Sequence, residues 1–466
     1  YPPQTNHLSP DRAMKLFFPT MFSGSDWLND VLMEVDTNGM IKSIVSKGKS
    51  SDADKIFNGT CLPGLPNLHS HAFQRAMAGL TEIAGSGVAN FWTWQKVMYE
   101  FLAKLSPDDV EAIASQLYME MLKGGFTSVA EFHYLHNDKN GGHFENPAEM
   151  SDRIFAAANK TGIGLTHLPV LYAHGGFGGL EPHEGQKRFI KTVAQFQLLL
   201  ETLDDRYGGG SERKIGMALH SLRAVSPDLI KDALALKSEG PIHIHIAEQT
   251  REVEQCIEWS GQRPIEWLLG NTDVNERWCL IHATHTTDAE TEAVAATRAV
   301  AGLCPTTEAN LGDGLFPLEK FMNQKGRIGI GSDSNVSVDV AEELRLLEYG
   351  QRLNQQRRNI GASVAGTSTG ETLFQESLAG GSQALGQSVG FLTPGHRADF
   401  IILNNQHPIL YGRTGSAIID SWIFTGGREL ISDVFVAGQH LVKNHYHINQ
   451  ESIESRYRET IKSLTN

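Results

Sequence analysis

The stretch GLPNLHSHAFQR, Gly64 to Arg75, sets His69 and His71 two positions apart, directly after an apolar run punctuated by proline and glycine. On a β-strand, side chains at i and i+2 share a face, so the two imidazoles would project side by side. That suits a shared divalent cation. It suits equally well two histidines entering a loop, and the pair alone does not decide. Further along, PIHIHIAEQ places His243 and His245 on one face with Glu248 three residues later, CLIHATH ends an apolar run at His282, and IGIGSDSN ends another at Asp333. Each has an ordinary explanation by itself: an aspartate after a strand caps the next helix, and a single histidine is structural. In the order HxH, HxxE, His, Asp, those ordinary explanations would all have to hold at once.

Side chains so far apart in sequence meet only if one scaffold brings the ends of their runs together. Eight short apolar runs are strand candidates: GLPNLHSH, FTSVAEFHY, GIGLTHLPVLY, KIGMALHS, PIHIHIAE, WCLIHATH, VAGLCPTT and RIGIGSDS. They alternate with amphipathic segments such as SPDDVEAIASQLYMEMLKGG, which has Ser106 to cap it, Pro107 at its first position and glycine at its stop. This predicts an α/β fold, a (β/α)8 TIM barrel, with the candidate residues at the C-terminal ends of strands one, five, six and eight. An open doubly wound sheet would want a G-x-G-x-x-G opening a helix after the first strand, and none is there. HNDKNGGHFENP and HGGFGGLEPHEG are long glycine-rich βα loops suited to substrate contact, and DDRYGGGSERK is an αβ connection.

The flanks read differently. VLMEVDTNGMIKSIVS, RADFIILN and DVFVAGQHLVKN are β-branched runs, with Asp-Thr-Asn-Gly and Ala-Gly-Gln as hairpin turns. Two short hairpins do not bury their own faces, so the two ends of the chain are expected to pair. The predicted organisation is a composite β-sandwich domain from residues 1–62 and 394–466, closed by the helical stretch ESIESRYRETIKSL, and a catalytic barrel over 63–393.

Bulk properties narrow the partners. The 466 residues are 40% hydrophobic and 20% charged, as in soluble globular proteins, and no apolar run is long enough to span a bilayer. A formal charge of −14 opposes phosphate backbones, so neither nucleic acid nor membrane is expected as a partner. Cys61, Cys256, Cys279 and Cys304 are widely spaced, which predicts buried free thiols and a cytoplasmic location. YPPQTNHLSP has none of the features of a secretory signal, although a chain beginning at Tyr leaves its natural start open.

With HxH, HxxE, His and Asp on these strands, the sequence resembles the amidohydrolase superfamily of metal-dependent (β/α)8-barrel hydrolases, in its mononuclear deaminase branch. The resemblance covers nearly the whole chain. It implies that His69, His71, His245 and Asp333 bind one divalent metal ion, zinc foremost with iron as an alternative, that Glu248 shuttles protons, and that His282 is the electrophilic histidine. The chemistry accounts for these types: three neutral imidazoles and one carboxylate leave a divalent ion net positive charge and room for a water whose pKa falls to about 7. Asp333 can ligate and also orient the nucleophile, which makes it catalytic as well. Glu248 can move the water's proton to the departing nitrogen, and His282 can stabilise charge at the attacked carbon. His243 lies one layer deeper than His245 and is expected to be structural. Binuclear members of the superfamily bridge two metals with a carboxylated strand-four lysine or a glutamate. The segment GIGLTHLPVLYAH, read as the fourth strand, has no lysine where that would be needed, which predicts one metal, while Glu131 in SVAEFHY is a carboxylate that could reach a second ion.

Substrate must be read from the loops. LHSLRAVSP puts His220 and Arg223 just past a strand end, where a planar guanidinium suits a carboxylate, and a surface ion pair is the plain alternative. HSHAFQRAMAGL, EFHYLH, HSLRAVSP and HIHIAEQ together are similar to the members of this superfamily that act on formimino groups in histidine degradation. That likeness implies a small acidic substrate, N-formimino-L-glutamate, hydrolysed to N-formyl-L-glutamate and ammonia, with Gln74, Tyr134, His220 and Arg223 as its contacts. The alternative is deamination of an aromatic base such as guanine, for which ANFWTWQKVMYEF could supply stacking rings. A metal-free barrel acting only in binding is disfavoured because no ligand position is lost. A homodimer is expected, with AEELRLLEYGQRLNQQRRN as candidate interface or as a helix covering the barrel.

Overall fold

All eight strand candidates form parallel barrel strands in the computed structural model, which describes residues 12–83, 91–210, 213–362 and 364–465, without the side chains of 91–93. In order they are Leu65–Ser70, Phe126–His133, Gly164–Leu171, an interrupted fourth strand of Arg213–Ile215 and Met217–Leu219, Ile242–Ile246, Trp278–His282, Val300–Leu303 and Arg327–Ile330. Each pairs with the next, and a parallel bridge between Ser70 and Asp333 closes the ring. Gly331 makes the closure possible: a Cβ there would lie 2.7 Å from the Cβ of His69 and 3.0 Å from its amide nitrogen. Nearly every strand residue is buried, as expected where helices cover the outside and side chains fill the inside.

The helix Pro107–Lys123 starts as predicted. The Ser106 hydroxyl accepts from the Asp109 amide at 3.2 Å, and the Asp109 carboxylate accepts back from the Ser106 amide at 2.9 Å. The helix Val340–Gln355 lies against the helices Pro305–Leu311 and Ser416–Phe424, with Val340, Leu344 and Leu347 buried and Leu353 exposed.

The chain ends build one nine-stranded sheet. Thr60–Pro63 sits at its centre, parallel to Met14–Phe22 and antiparallel to Phe400–Leu403 with Cys61 opposite Ile402. Both predicted hairpins are present, Trp27–Val35 with Ile41–Val45 and Ile431–Val436 with Gln439–Lys443. Together these strands form the small sandwich, enclosing a second core that includes Phe18, Met33, Phe400 and Phe435. The C-terminal helix Gln450–Thr465 lies against the barrel helix Pro107–Lys123, where Lys123 Nζ donates to Gln450 Oε1 at 3.0 Å. All four cysteines are buried and free of disulfides, as expected. No described helix is long and apolar enough to cross a membrane. The stretch YPPQTNHLSP lies outside the described residues.

Candidate metal centre and substrate cavity

Strand ends one, five and eight bring His69, His71, His245 and Asp333 together, with one donor atom from each within 4.8 Å of the others. His69 Nε2 is 3.1 Å from His245 Nε2 and 3.4 Å from Asp333 Oδ1, which is also 3.2 Å from His71 Nε2. Backbone carbonyls set two of the tautomers: His71 Nδ1 donates to Phe132 O at 2.9 Å, and His245 Nδ1 donates to His220 O at 2.9 Å. Their Nε2 atoms therefore carry bare lone pairs aimed at the same point as a carboxylate oxygen. Burial depresses all three histidines, His69 to about 3, so they are neutral, as ligands must be. Burial opposes ionisation of Asp333, but the hydrogen bond with His69 and the neighbouring His69, His71 and His282 rings hold its carboxyl well below the usual carboxylate range. Converging neutral nitrogens and one anion repel one another unless a cation lies among them, so the donor set fits a divalent ion.

Positioning these groups strains the backbone. Ala247, His282, Ala283, Asp333 and Asn335 all have left-handed φ between 46° and 69°, a conformation that costs residues with a Cβ about 1 kcal/mol or more each. Around Asp333 the strain is met by a polar network. Asn335 Nδ2 donates to the carbonyls of His71 and Asp333 at 3.1 and 2.9 Å, and Ser332 Oγ donates to Asn335 Oδ1 at 2.6 Å. Asn67 Nδ2 in turn donates to Ser332 Oγ at 2.7 Å.

Glu248 and His282 face the metal group. His282 Nε2 is 3.8 Å from Glu248 Oε1 and 3.6 Å from Asp333 Oδ2, while its Nδ1 donates to Glu308 Oε1 at 3.2 Å. Burial pushes Glu248 up to about 7, opposed by His282 and reinforced by Asp333. His282 goes the other way: burial would lower it, but Glu248, Glu308 and Asp333 raise it well above its ordinary value. The pair can thus carry a proton between them near neutrality. Glu308, which also accepts from the Cys304 amide at 2.9 Å, has no counterpart among the residues singled out in the sequence. It lies in CPTTEAN on a short helix, where it reads as an ordinary first-turn acid.

All four proposed substrate contacts line the cavity above the donors, which encloses about 520 Å³ out to its mouth. Gln74 Nε2 donates to Tyr134 Oη at 3.0 Å beside His71, the Tyr134 ring meets His220 edge-on at a centroid distance of 5.4 Å, and Arg223 and Tyr172 line the same cavity. Trp94, Gln95, Met98 and Tyr99 of the helix Phe91–Leu102 complete the wall, so this aromatic stretch serves the cavity. Phe91 and Trp92 side chains lie outside the described residues. Arg75, next to Gln74, points away and pairs with Glu120 at 2.7 Å. His243 is structural as expected, with Nε2 donating to Ala384 O at 2.8 Å.

Two features bear on a second metal. GIGLTHLPVLYAH is the third strand; the fourth carries Lys214, but at the end remote from the metal group, beside Gly386. The strands pair in chain order, which gives this segment the third place and not the fourth. Glu131 accepts from the Ala72 amide at 2.6 Å and from the Tyr118 hydroxyl at 3.0 Å, and belongs to none of the metal-capable groups among the described residues.

The scaffold, the strand-end donors and their order define a metal-dependent barrel hydrolase, and the chain belongs to the amidohydrolase family, whose model matches residues 60–441. It is 50% identical over 408 residues, 87% of this chain and 90% of the relative, to formimidoylglutamate deiminase of Pseudomonas aeruginosa. A crystal structure of an amidohydrolase from Brucella melitensis superposes with a TM-score of 0.93 at 43% identity, covering 97% of this chain and all of that one. The 8-oxoguanine deaminase of Pseudomonas aeruginosa is 25% identical over 351 residues, 73% of each chain.

Proposed function

We propose that this protein hydrolyses the formimino C–N bond of N-formimino-L-glutamate, giving N-formyl-L-glutamate and ammonia, in the cytoplasm and in histidine degradation. The observation that carries the reading is the cavity itself, which is lined by a metal-type donor set, a proton-carrying Glu248, and Arg223 with hydroxyl, amide and imidazole donors. The likeness to formimidoylglutamate deiminase supports it and outweighs the weaker likeness to a base deaminase. His69, His71, His245 and Asp333 would hold one divalent ion, with zinc foremost and iron compatible. Such an ion, when bound, supplies hydroxide at neutral pH by lowering the pKa of water towards 7.

The remaining steps belong to the chain. Asp333 accepts a hydrogen bond from the attacking water and so orients it towards the formimino carbon. Glu248, with a carboxyl poised near 7, takes the water's proton and delivers it to the nitrogen, so that ammonia leaves as the C–N bond breaks. His282, held by Glu308, offers Nε2 to the charge that develops at the attacked carbon. Gln74, Tyr134, His220 and Arg223 hold the carboxylate-bearing end, which a chain of net charge −14 must bind through local donors. The same reading takes the working form as a homodimer without nucleic acid or membrane partners.

Ammonia release from N-formimino-L-glutamate, compared with N-formimino-L-aspartate and guanine, tests the proposal. Turnover of the glutamate derivative with at least tenfold preference in kcat/KM is expected. Preference for guanine would replace this reading with base deamination.

A further inference from the structure

The inner cavity adjoins an outer chamber, and Arg223 lines both. Tyr172, from the end of the third strand, stands on the inner side of this partition, buried with its ring on His220 at a centroid distance of 4.4 Å. Behind it Gln186 is fixed in one orientation: its Oε1 accepts from the His183 amide at 3.0 Å, which turns Nε2 to donate to Tyr172 Oη at 2.7 Å. A phenol oxygen that accepts from an amide keeps its own proton for another acceptor. Tyr99 joins the same wall. Among the described residues, the carboxylates lining the inner cavity are Glu248 and Asp333, both on the metal side. The partition therefore combines a guanidinium with phenol donors, with Glu248 and Asp333 among the inner lining and Glu258 on the outer chamber, and guanidinium plus phenol donors suit a carboxylate.

We propose that Tyr172, oriented by Gln186, is a specificity-determining residue that holds one carboxylate of the substrate together with Arg223. The assignment rests on the substrate being the acidic formimino compound proposed above. It adds a donor beside the Gln74–Tyr134 pair and explains why a polar glutamine is buried behind an aromatic ring.

Tyr172→Phe keeps the ring packing and removes only the donor. KM for N-formimino-L-glutamate is expected to rise about 10- to 100-fold, the range for a hydrogen bond to a charged group, with kcat within about twofold and an unchanged melting temperature. If both residues hold one carboxylate, Tyr172→Phe combined with Arg223→Lys raises KM by less than the product of the single effects. Calorimetric binding of N-formyl-L-glutamate to the metal-loaded protein, with a matching loss in Tyr172→Phe, reads the same contact without turnover. An unchanged KM and affinity, or multiplicative effects in the double variant, overturns the proposal. Wild-type protein that binds N-formyl-L-glutamate but releases no ammonia would instead overturn the proposed reaction, leaving the receptor tested by binding alone.

Discussion

Glu248 and His282 show how burial can make reactive groups out of common residue types. A carboxyl withdrawn from water is pushed to about 7, and an imidazole ringed by Glu248, Glu308 and Asp333 is pulled upward. Glu248→Gln keeps shape and metal donors but carries no proton, so kcat should fall by about 10²- to 10⁴-fold with metal content unchanged. Near-normal turnover in that variant would remove Glu248 from the reaction. Glu308 acts through His282: Glu308→Ala should lower kcat about 10- to 100-fold, with Glu308→Gln, which still accepts from Nδ1, retaining much more activity. Equal rates in the two variants would show that Glu308 merely fills space. His69, His71, His245, His282, Glu248 and Asp333 were legible because each lies at, or within three residues of, the end of an apolar strand run. Glu308 and Tyr172 were not, since an acid in a helix's first turn and a tyrosine closing a strand look ordinary until their partners are seen.

At the level of elements, the site depends on how tightly the strands and helices close around it. The helix Thr369–Leu385 covers strands one and eight through glycines: a Cβ on Gly380 would sit 1.8 Å from the carbonyl oxygen of Ile328, and one on Gly381 would meet the backbone of Pro66 at 2.9 Å. Neither neighbour is a flexible side-chain tip. Gly380→Ala should therefore destabilise the fold by about 1–3 kcal/mol through overpacking, despite alanine's better helix propensity, as read by chemical denaturation. A variant as stable as wild type would mean that the helix shifts freely, and metal affinity would then be insensitive to its position. The eight strands, the capped helix after Ser106 and both terminal hairpins could be read from periodicity and turn residues, because those signals are local. That Thr369–Leu385 covers strands one and eight, while Val340–Gln355 lies on neighbouring helices, follows from contact between distant segments.

For the whole molecule, burial sets the response to acid. His133, His136 and His167 form a cluster behind the second and third strands, with ring centroids of His133 5.8 Å from His136 and 5.4 Å from His167. Burial depresses all three, His133 to about 3. They stay neutral in the fold while the unfolded chain takes up protons below about 6.5, so their contribution to stability is intact above that pH and is lost as pH falls from 6.5 towards 3. His133→Leu should accordingly lose less stability than wild type between pH 7 and 5, by about 2 kcal/mol, in denaturant titrations. A loss as large as wild type's would place that titration elsewhere. By itself the sequence determined the barrel, the composite sheet of the two chain ends and the identity of the metal-type donors, because apolar periodicity, turn chemistry and strand-end spacing act over a few residues. Only the tertiary structure decided what surrounds those donors. The carboxylate behind His282, the Asn67–Ser332–Asn335 network under Asp333 and the Tyr172–Gln186 partition join residues far apart in the chain, and closure of the barrel is what brings them within hydrogen-bonding distance.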